Sequence, residues 1–252
     1  MDKTHQLIIK DLSKSFDNKK ASVKVLENIS IEVNQNEFLV ILGPGRCGKT
    51  TLLNTIAGLT QPSSGEIIFN GTSSHKKPIE IGVVFQRLNL MPWQSVRKNV
   101  EFIMKIKGVP EAERKHTAQK YIDLVKLNGF EKLYPHQLSG GMKQRVGIAR
   151  AYSAKPEILL MDEPFGQLDA QTRYQMQEEI MKIFEDDKRT IIFVTANLEE
   201  ALFLGDRIIL LSASPAHVKE VYKMNLPRPR DMMQPDFLAL RKTISENMDF
   251  II

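Results

Sequence analysis

The chain is poor in several things, and each shortage excludes something. It has a single cysteine, Cys47, among 252 residues. No internal disulfide can form, and the composition suits a reducing compartment. No apolar run approaches the ~18 residues that span a bilayer, and the opening Met1-Asp2-Lys3-Thr4-His5 carries no apolar signal core. Any membrane role is therefore expected to come through a partner. There is no internal repeat and no low-complexity tract. Charge of one sign is only mildly in excess, 35 Lys and Arg against 30 Asp and Glu, a net +5. The basic residues are dispersed rather than gathered into a stripe, which argues against nucleic acid as a partner. The small positive balance suits anionic nucleotides or an anionic membrane surface no better than it suits a solvated basic face.

Against those shortages, 42% of residues are hydrophobic and 26% charged, so a globular fold with a real core is expected. One stretch organises it. Phe38 to Leu42 is an apolar run short enough for a buried strand, and Thr51 to Gly58 reads as a helix stopped by glycine. Between them Gly43-Pro44-Gly45-Arg46-Cys47-Gly48-Lys49-Thr50 fits G-x-x-x-x-G-K-[ST] residue for residue. Backbone N–H groups of such a loop converge on phosphate oxygens, and the helix start adds partial positive charge. Lys49 would reach the β- and γ-phosphates and Thr50 would hold Mg²⁺. Cys47 is taken as a small residue chosen for fit.

Leu7 to Lys10, Ile29 to Val33 and Glu66 to Phe69 read as short strands, with turn chemistry at Asn34 to Glu37, Pro62 to Gly65 and Asn70-Gly71. Together they predict an antiparallel flap beside the phosphate-loop strand. Phe16 is placed in the loop after Leu12 to Ser15, where buried packing and stacking on a purine compete. From Leu88 the texture turns helical. Val96, Val100, Ile103 and Met104 share one helix face, and Pro110 with Glu111 and Glu113 opens the next helix. No strand intervenes before Ala154, so an inserted helical subdomain is expected. Ile158 to Met161, Ile191 to Val194 and Ile208 to Leu211 are buried strands. The stripe Met176, Ile180, Ile183 and Phe184 gives a helix among them, and Phe237 to Met248 a last one. The fold class is α/β: a mostly parallel sheet in a P-loop NTPase core, with the antiparallel N-terminal subdomain and the helical insertion.

Two further motifs carry chemistry. Asp162 ends an apolar strand, where ligands of such sheets bind. It can hold Mg²⁺ through water, and Glu163 can orient and deprotonate an attacking water. Leu138-Ser139-Gly140-Gly141-Met142-Lys143-Gln144-Arg145 is a second helix start: Ser139 can cap it, and Gly140 and Gly141 leave amides open to an anion. One nucleotide needs only one such start per protomer unless protomers pair.

With these residues in hand the sequence resembles the nucleotide-binding subunit of an ATP-binding cassette (ABC) transporter over essentially its whole length. Five motifs stand in the family's order: the Walker A loop Gly43 to Thr50, the Q-loop at Phe85-Gln86, the signature Leu138 to Arg145, Walker B Ile158 to Glu163, and the D-loop Gly166 to Asp169. Leu90-Met91-Pro92-Trp93, Gly141 to Arg150 and Pro227-Arg228-Pro229-Arg230-Asp231 are similar to the nitrate/sulfonate/taurine importer group. The resemblance implies ATP and Mg²⁺ as ligands and a head-to-tail dimer, each site taking the signature from the other protomer. It implies an ATP site of Gly43, Pro44, Gly45, Arg46, Cys47, Gly48, Lys49, Thr50 and Thr51, with Phe16 under adenine and Ser139, Gly140, Gly141 and Asp169 completing it. Glu163, Gln86 and Lys49 would be catalytic, and Thr50, Gln86 and Asp162 would serve the metal. Transmembrane permease subunits would be the direct partners and an external substrate-binding protein an indirect one, at the cytoplasmic face of the cell membrane. The expected boundaries are 1–225 for the nucleotide-binding domain, with the insertion at about 88–154, and 226–252 for a C-terminal tail expected to pack on the core.

The pattern breaks twice. The family has glycine where this chain has Arg46, and the left-handed backbone expected there is costly for arginine. Gly45 is expected to absorb the torsion, with the Arg46 side chain in solvent. After the strand at Ile191 to Thr195 the family has a histidine that contacts the γ-phosphate; here it is Ala196. Losing one preorganised donor costs ~10²- to 10³-fold in turnover, roughly 3–4 kcal/mol, and the adjacent Asn197 is a weak substitute. Two functions follow: a slow transport ATPase working through Glu163, or an ATP clamp that hardly hydrolyses and lends its signature to a second ABC ATPase. The retained carboxylates favour the first.

Overall fold

The computed structural model describes residues 5–18, 21–73 and 80–249. In chain order it runs β1 (His5–Asn18), β2 (Ala21–Asn34), β3 (Phe38–Leu42), α1 (Lys49–Ile56), β4 (Ser64–Phe69), β5 (Thr72–Ser73) and β6 (Ile81–Val84). Then come α2 (Val96–Ile106), α3 (Glu111–Leu124), α4 (Gly140–Ser153), β7 (Ile158–Asp162) and α5 (Ala170–Asp186). The chain closes with β8 (Thr190–Thr195), α6 (Leu198–Leu204), β9 (Arg207–Leu211), β10 (Val218–Lys223) and α7 (Pro235–Asn247). The backbone forms two compact units, Met1–Ile79 with Arg189–Ile252, and Glu80–Lys188.

In the first unit β3 lies between β8 and β9, parallel to both, and β10 adds an antiparallel edge on β9. Every residue of β3 and β8 is buried, which is why both read as unbroken apolar runs. The Phe38 and Phe193 rings pack at 5.9 Å across this pair. The antiparallel sheet runs β2-β1-β4-β5. Its first two strands are far longer than the short runs the sequence advertises. The outer end of β2, Ala21 to Lys24, is exposed, and Asp11 and Asn28, at φ 48° and 46°, sit where the β1–β2 register shifts. Side-chain alternation is therefore lost there. Asn70 and Gly71 both take positive φ, as the two-residue turn between β4 and β5 requires.

In the second unit β6 and β7 pair in parallel, and α2, α3 and α4 pack on one another. Val96, Val100 and Met104 are buried, as their spacing predicts, and α3 begins after Pro110. The Tyr121 and Tyr152 rings meet at 6.1 Å, and the Tyr121 hydroxyl donates to Asp187 at 2.8 Å. Buried Asn99 accepts from Met91 N–H and donates to the carbonyls of Met91, Gln94 and Ser95, which fixes the Leu90 to Trp93 segment while leaving Trp93 72% exposed. No helix among the described residues is long and apolar enough to cross a membrane.

Candidate functional site

The phosphate loop begins where β3 ends. Gly43 N–H donates to the Thr195 carbonyl at 3.4 Å, so the loop starts level with the end of β8. A Cβ at Gly43 would lie 3.0 Å from Cys47 Sγ and 3.2 Å from Leu211, which is why the loop's first residue has no side chain. Cys47 is wholly buried as filler beneath it. Gly48 caps α1 at φ 120°. Lys49 is 4% exposed, and its ammonium donates to the carbonyls of Gly43 at 3.0 Å and Pro44 at 2.8 Å. A buried cation is thus held by the loop's own oxygens. Thr50 is exposed and Thr51 half-buried.

The expected strain relief at Gly45 does not occur. Arg46 itself takes φ 62°, while Gly45 is not in the left-handed region. The loop's curvature falls one residue later than expected, where the cost for a side chain is roughly 1–2 kcal/mol. The Arg46 side chain is exposed, as expected. Phe16 also departs from expectation. It lies within β1, opposite Val23, rather than in a loop, and its ring is 44% exposed with the Lys14 ammonium 4.9 Å from the centroid. A buried packing role is excluded, and an exposed aromatic face remains.

The end of β8 is built differently. Thr195 Oγ1 donates to Glu200 Oε2 at 2.6 Å and accepts from Asn197 N–H at 3.0 Å; Asn197 Oδ1 accepts from Glu200 N–H at 3.0 Å and caps α6. The Asn197 side-chain oxygen is therefore spent on the helix. Ala196, exposed at the apex, offers only a methyl group.

In the second unit Asp162 is the last residue of β7 and 4% exposed. Glu163 follows at φ 40°, a left-handed backbone costing about 1–3 kcal/mol for a side chain of this kind. Gly166 N–H closes the turn on its carbonyl at 3.1 Å. Arg173 braces the next segment by donating to the carbonyls of Leu168 at 2.9 Å and Phe165 at 3.4 Å. Asp169 is exposed and caps α5, accepting from Thr172 N–H at 3.0 Å, and that bond holds its carboxyl below the usual value. Ser139 caps α4 through Met142 N–H at 3.2 Å. Nothing crowds the space a Gly140 side chain would take, whereas a Cβ on Gly141 would lie 2.9 Å from the Thr172 methyl. The first turns of α4 and α5 thus meet at Gly141. Gln86 lies exposed two residues past β6. The loop after it is fastened to α4 by Arg150, which donates to the carbonyls of Leu88 at 2.7 Å and Asn89 at 2.9 Å. Burial pushes the Arg150 guanidinium below its ordinary pKa. Arg150 closes the Gly141 to Arg150 segment, whose sequence assigns it no role; an arginine in an apolar helical stretch is the available signal, because a buried cation must find acceptors.

Each unit thus gathers one group of the expected residues: the phosphate loop, Phe16 and position 196 in the first, and Gln86, the Ser139 to Gly141 helix start, Asp162, Glu163 and Asp169 in the second. Thr50 in the first unit carries a hydroxyl and Asp162 in the second a carboxylate, both donor types that a hard dication takes. Among the described residues no cluster of three or more His, Cys, Asp or Glu could hold a metal by itself.

Comparison with known proteins gives the family and the fold. A family model described as ABC transporter matches residues 26–166. An uncharacterized ABC transporter ATP-binding protein of Methanocaldococcus jannaschii is 49% identical over 239 residues, covering 95% of this chain and 90% of that protein. An aliphatic sulfonates import ATP-binding protein of Bacillus cereus is 40% identical over 242 residues, covering 96% and 95%. A dimeric ATP-binding cassette, solved in a post-hydrolysis state with ADP and Pi, superimposes with TM-score 0.77 at 30% identity over 88% of this chain and all of that one.

Proposed function

This chain belongs to the ABC transporter ATPase family, and on that premise we propose that it hydrolyses ATP to power an importer of the nitrate/sulfonate/taurine type. It would act as a head-to-tail dimer on transmembrane permease partners, peripheral to the cytoplasmic face of the membrane. The importer assignment is supported by the sulfonate-import relative and by the Leu90 to Trp93 and Pro227 to Asp231 segments.

The observation that carries the hydrolytic reading is the Lys49 ammonium held among the phosphate-loop carbonyls, together with the retained Asp162-Glu163 pair. When nucleotide enters, the loop amides and Lys49 bind and orient its β- and γ-phosphates. Phe16 offers its exposed ring to adenine. Ser139, Gly140 and Gly141 of the partner protomer bring a second helix start to the triphosphate. Bound Mg²⁺, held by Thr50, Gln86 and Asp162, would neutralise charge on those phosphates. Glu163 takes a proton from the attacking water. Its strained backbone is one sign of a side chain held for a task.

Ala196 is the specific observation behind a second reading, in which the chain clamps ATP, hardly hydrolyses it, and pairs with another ABC ATPase. Under the main reading turnover is present but slow. The test is the Glu163→Gln variant with Mg²⁺ and ATP, followed by sedimentation. It is expected to form a stable nucleotide-bound dimer; a variant that stays monomeric with ATP bound would contradict the paired-site mechanism.

A further inference from the structure

The Pro227-Arg228-Pro229-Arg230 stretch takes no part in the chemistry above, yet both its arginines are committed to one small target. Arg230 is 7% exposed, and its Nη1 donates to the carbonyls of Leu202 at 2.8 Å and Phe203 at 3.1 Å. Its Nε reaches Leu226 O at 3.3 Å. Arg228 Nη2 donates to the Leu204 carbonyl and Nη1 to Asp206 Oδ1, the latter at 2.6 Å. Leu202, Phe203 and Leu204 form the last turn of α6. The last carbonyls of an α-helix generally lie beyond its own N–H donors, and cations placed there complement the helix dipole.

The same clasp reaches the phosphate-loop strand. Asp206 Oδ2 accepts from Phe38 N–H, the first amide of β3, at 2.9 Å. At the other end of α6, Arg241 of α7 grips Glu199 through Nε at 2.9 Å and Nη2 at 2.8 Å. The tail thus holds α6 at both ends. That matters because α6 has only seven residues, too few to persist without tertiary support. It begins two residues after Ala196, through the Asn197 cap. The helix behind position 196 fixes where that position lies, and the tail fixes the helix.

We propose that Arg228, Arg230 and Arg241 are positioning residues that clasp α6 and so set the 195–197 segment at the end of β8. The effect on turnover rests on the ATPase reading above; the clasp itself does not. Burial lowers the Arg230 pKa to about 10, so it stays charged at neutral pH.

The experiment is amide hydrogen exchange on the full chain, comparing the natural protein with Arg230→Met, Arg230→Lys and Arg241→Met. Arg230→Met is expected to speed exchange of amides 197–205 about tenfold, while β3 and β8 change less than about twofold. Arg230→Lys, which keeps a cation and its donors, should recover part of the protection. Unchanged exchange, or a loss of protection spread evenly over the chain, would overturn the clasp. If Arg230→Met does not fold, Arg241→Met gives the same test at the first turn of α6, because its ion pair is half exposed and such pairs contribute little to overall stability. A second readout uses the chain with its permease. Arg230→Met should lower kcat by about three- to tenfold with KM for ATP unchanged, since displacement of a reacting-site segment costs rate rather than affinity. Local exchange without any change in kcat would overturn the positioning role. A natural chain with no hydrolysis at all would count against the ATPase reading, and the exchange results would still decide the clasp.

Discussion

The phosphate loop and the 195–197 segment lie at the ends of adjacent parallel strands, joined by the bond from Gly43 N–H to the Thr195 carbonyl. They are built on opposite plans. The loop is built around a cation and a glycine: a buried lysine that donates to the Gly43 and Pro44 carbonyls, and a glycine at the helix start. The 195–197 segment turns its polar groups inward. Thr195, Asn197 and Glu200 bond one another, and the exposed residue is alanine. One region is equipped to grip a triphosphate; its neighbour is equipped to hold a helix. Binding and hydrolysis are therefore expected to separate in this protein, with grip intact and turnover restrained.

The largest effect that would sharpen this contrast comes from Glu163→Gln. It should cut ATPase turnover by ~10²- to 10⁴-fold while calorimetry shows ATP binding retained. Loss of binding would mean that grip and hydrolysis are not separable here. Next, Asn197→Ala removes the α6 cap and should cost about 1 kcal/mol of stability in denaturant titration. ATP affinity should not move, because the segment contributes structure rather than ligand contacts. Arg46→Gly probes the other region. It relieves the left-handed backbone at φ 62°, and after the entropy cost of glycine the gain should be about 1 kcal/mol or less. Weaker ATP binding in that variant would show that the exposed guanidinium contributes to the grip.

The smallest effect concerns the caps. Asp169, which caps α5, titrates below the usual 3.8 because Thr172 N–H bonds its carboxylate. Its contribution is full above that usual value and is lost as pH falls through the lower folded value. Exchange at the start of α5 should therefore quicken as pH falls through that lower value, and Asp169→Asn, whose cap does not titrate, should remove this dependence.

How much of this could be read from residues alone follows from burial. β3, β7 and β8 are buried along their whole length, so each announced itself as an apolar run. The outer halves of β1 and β2 did not, because exposed strands with register shifts carry no alternation. β10 went unseen for the same reason: it is an edge strand with one buried residue, Tyr222. The phosphate loop was legible because its backbone geometry dictates residue types. The exact residue bearing its strain was not, since Gly45 and Arg46 compete and sequence favours the glycine. Arg150 and Arg230 were harder still. Both act on backbone carbonyls, and a carbonyl leaves no mark in the sequence.

The contrast between the two neighbouring segments is tested most directly by restoring what position 196 lacks. Steady-state ATPase activity should be compared for the natural chain and Ala196→His, each with its permease. Turnover should rise ~10²-fold or more with little change in KM, as expected when one preorganised donor is regained. Equal turnover in the two proteins would contradict it.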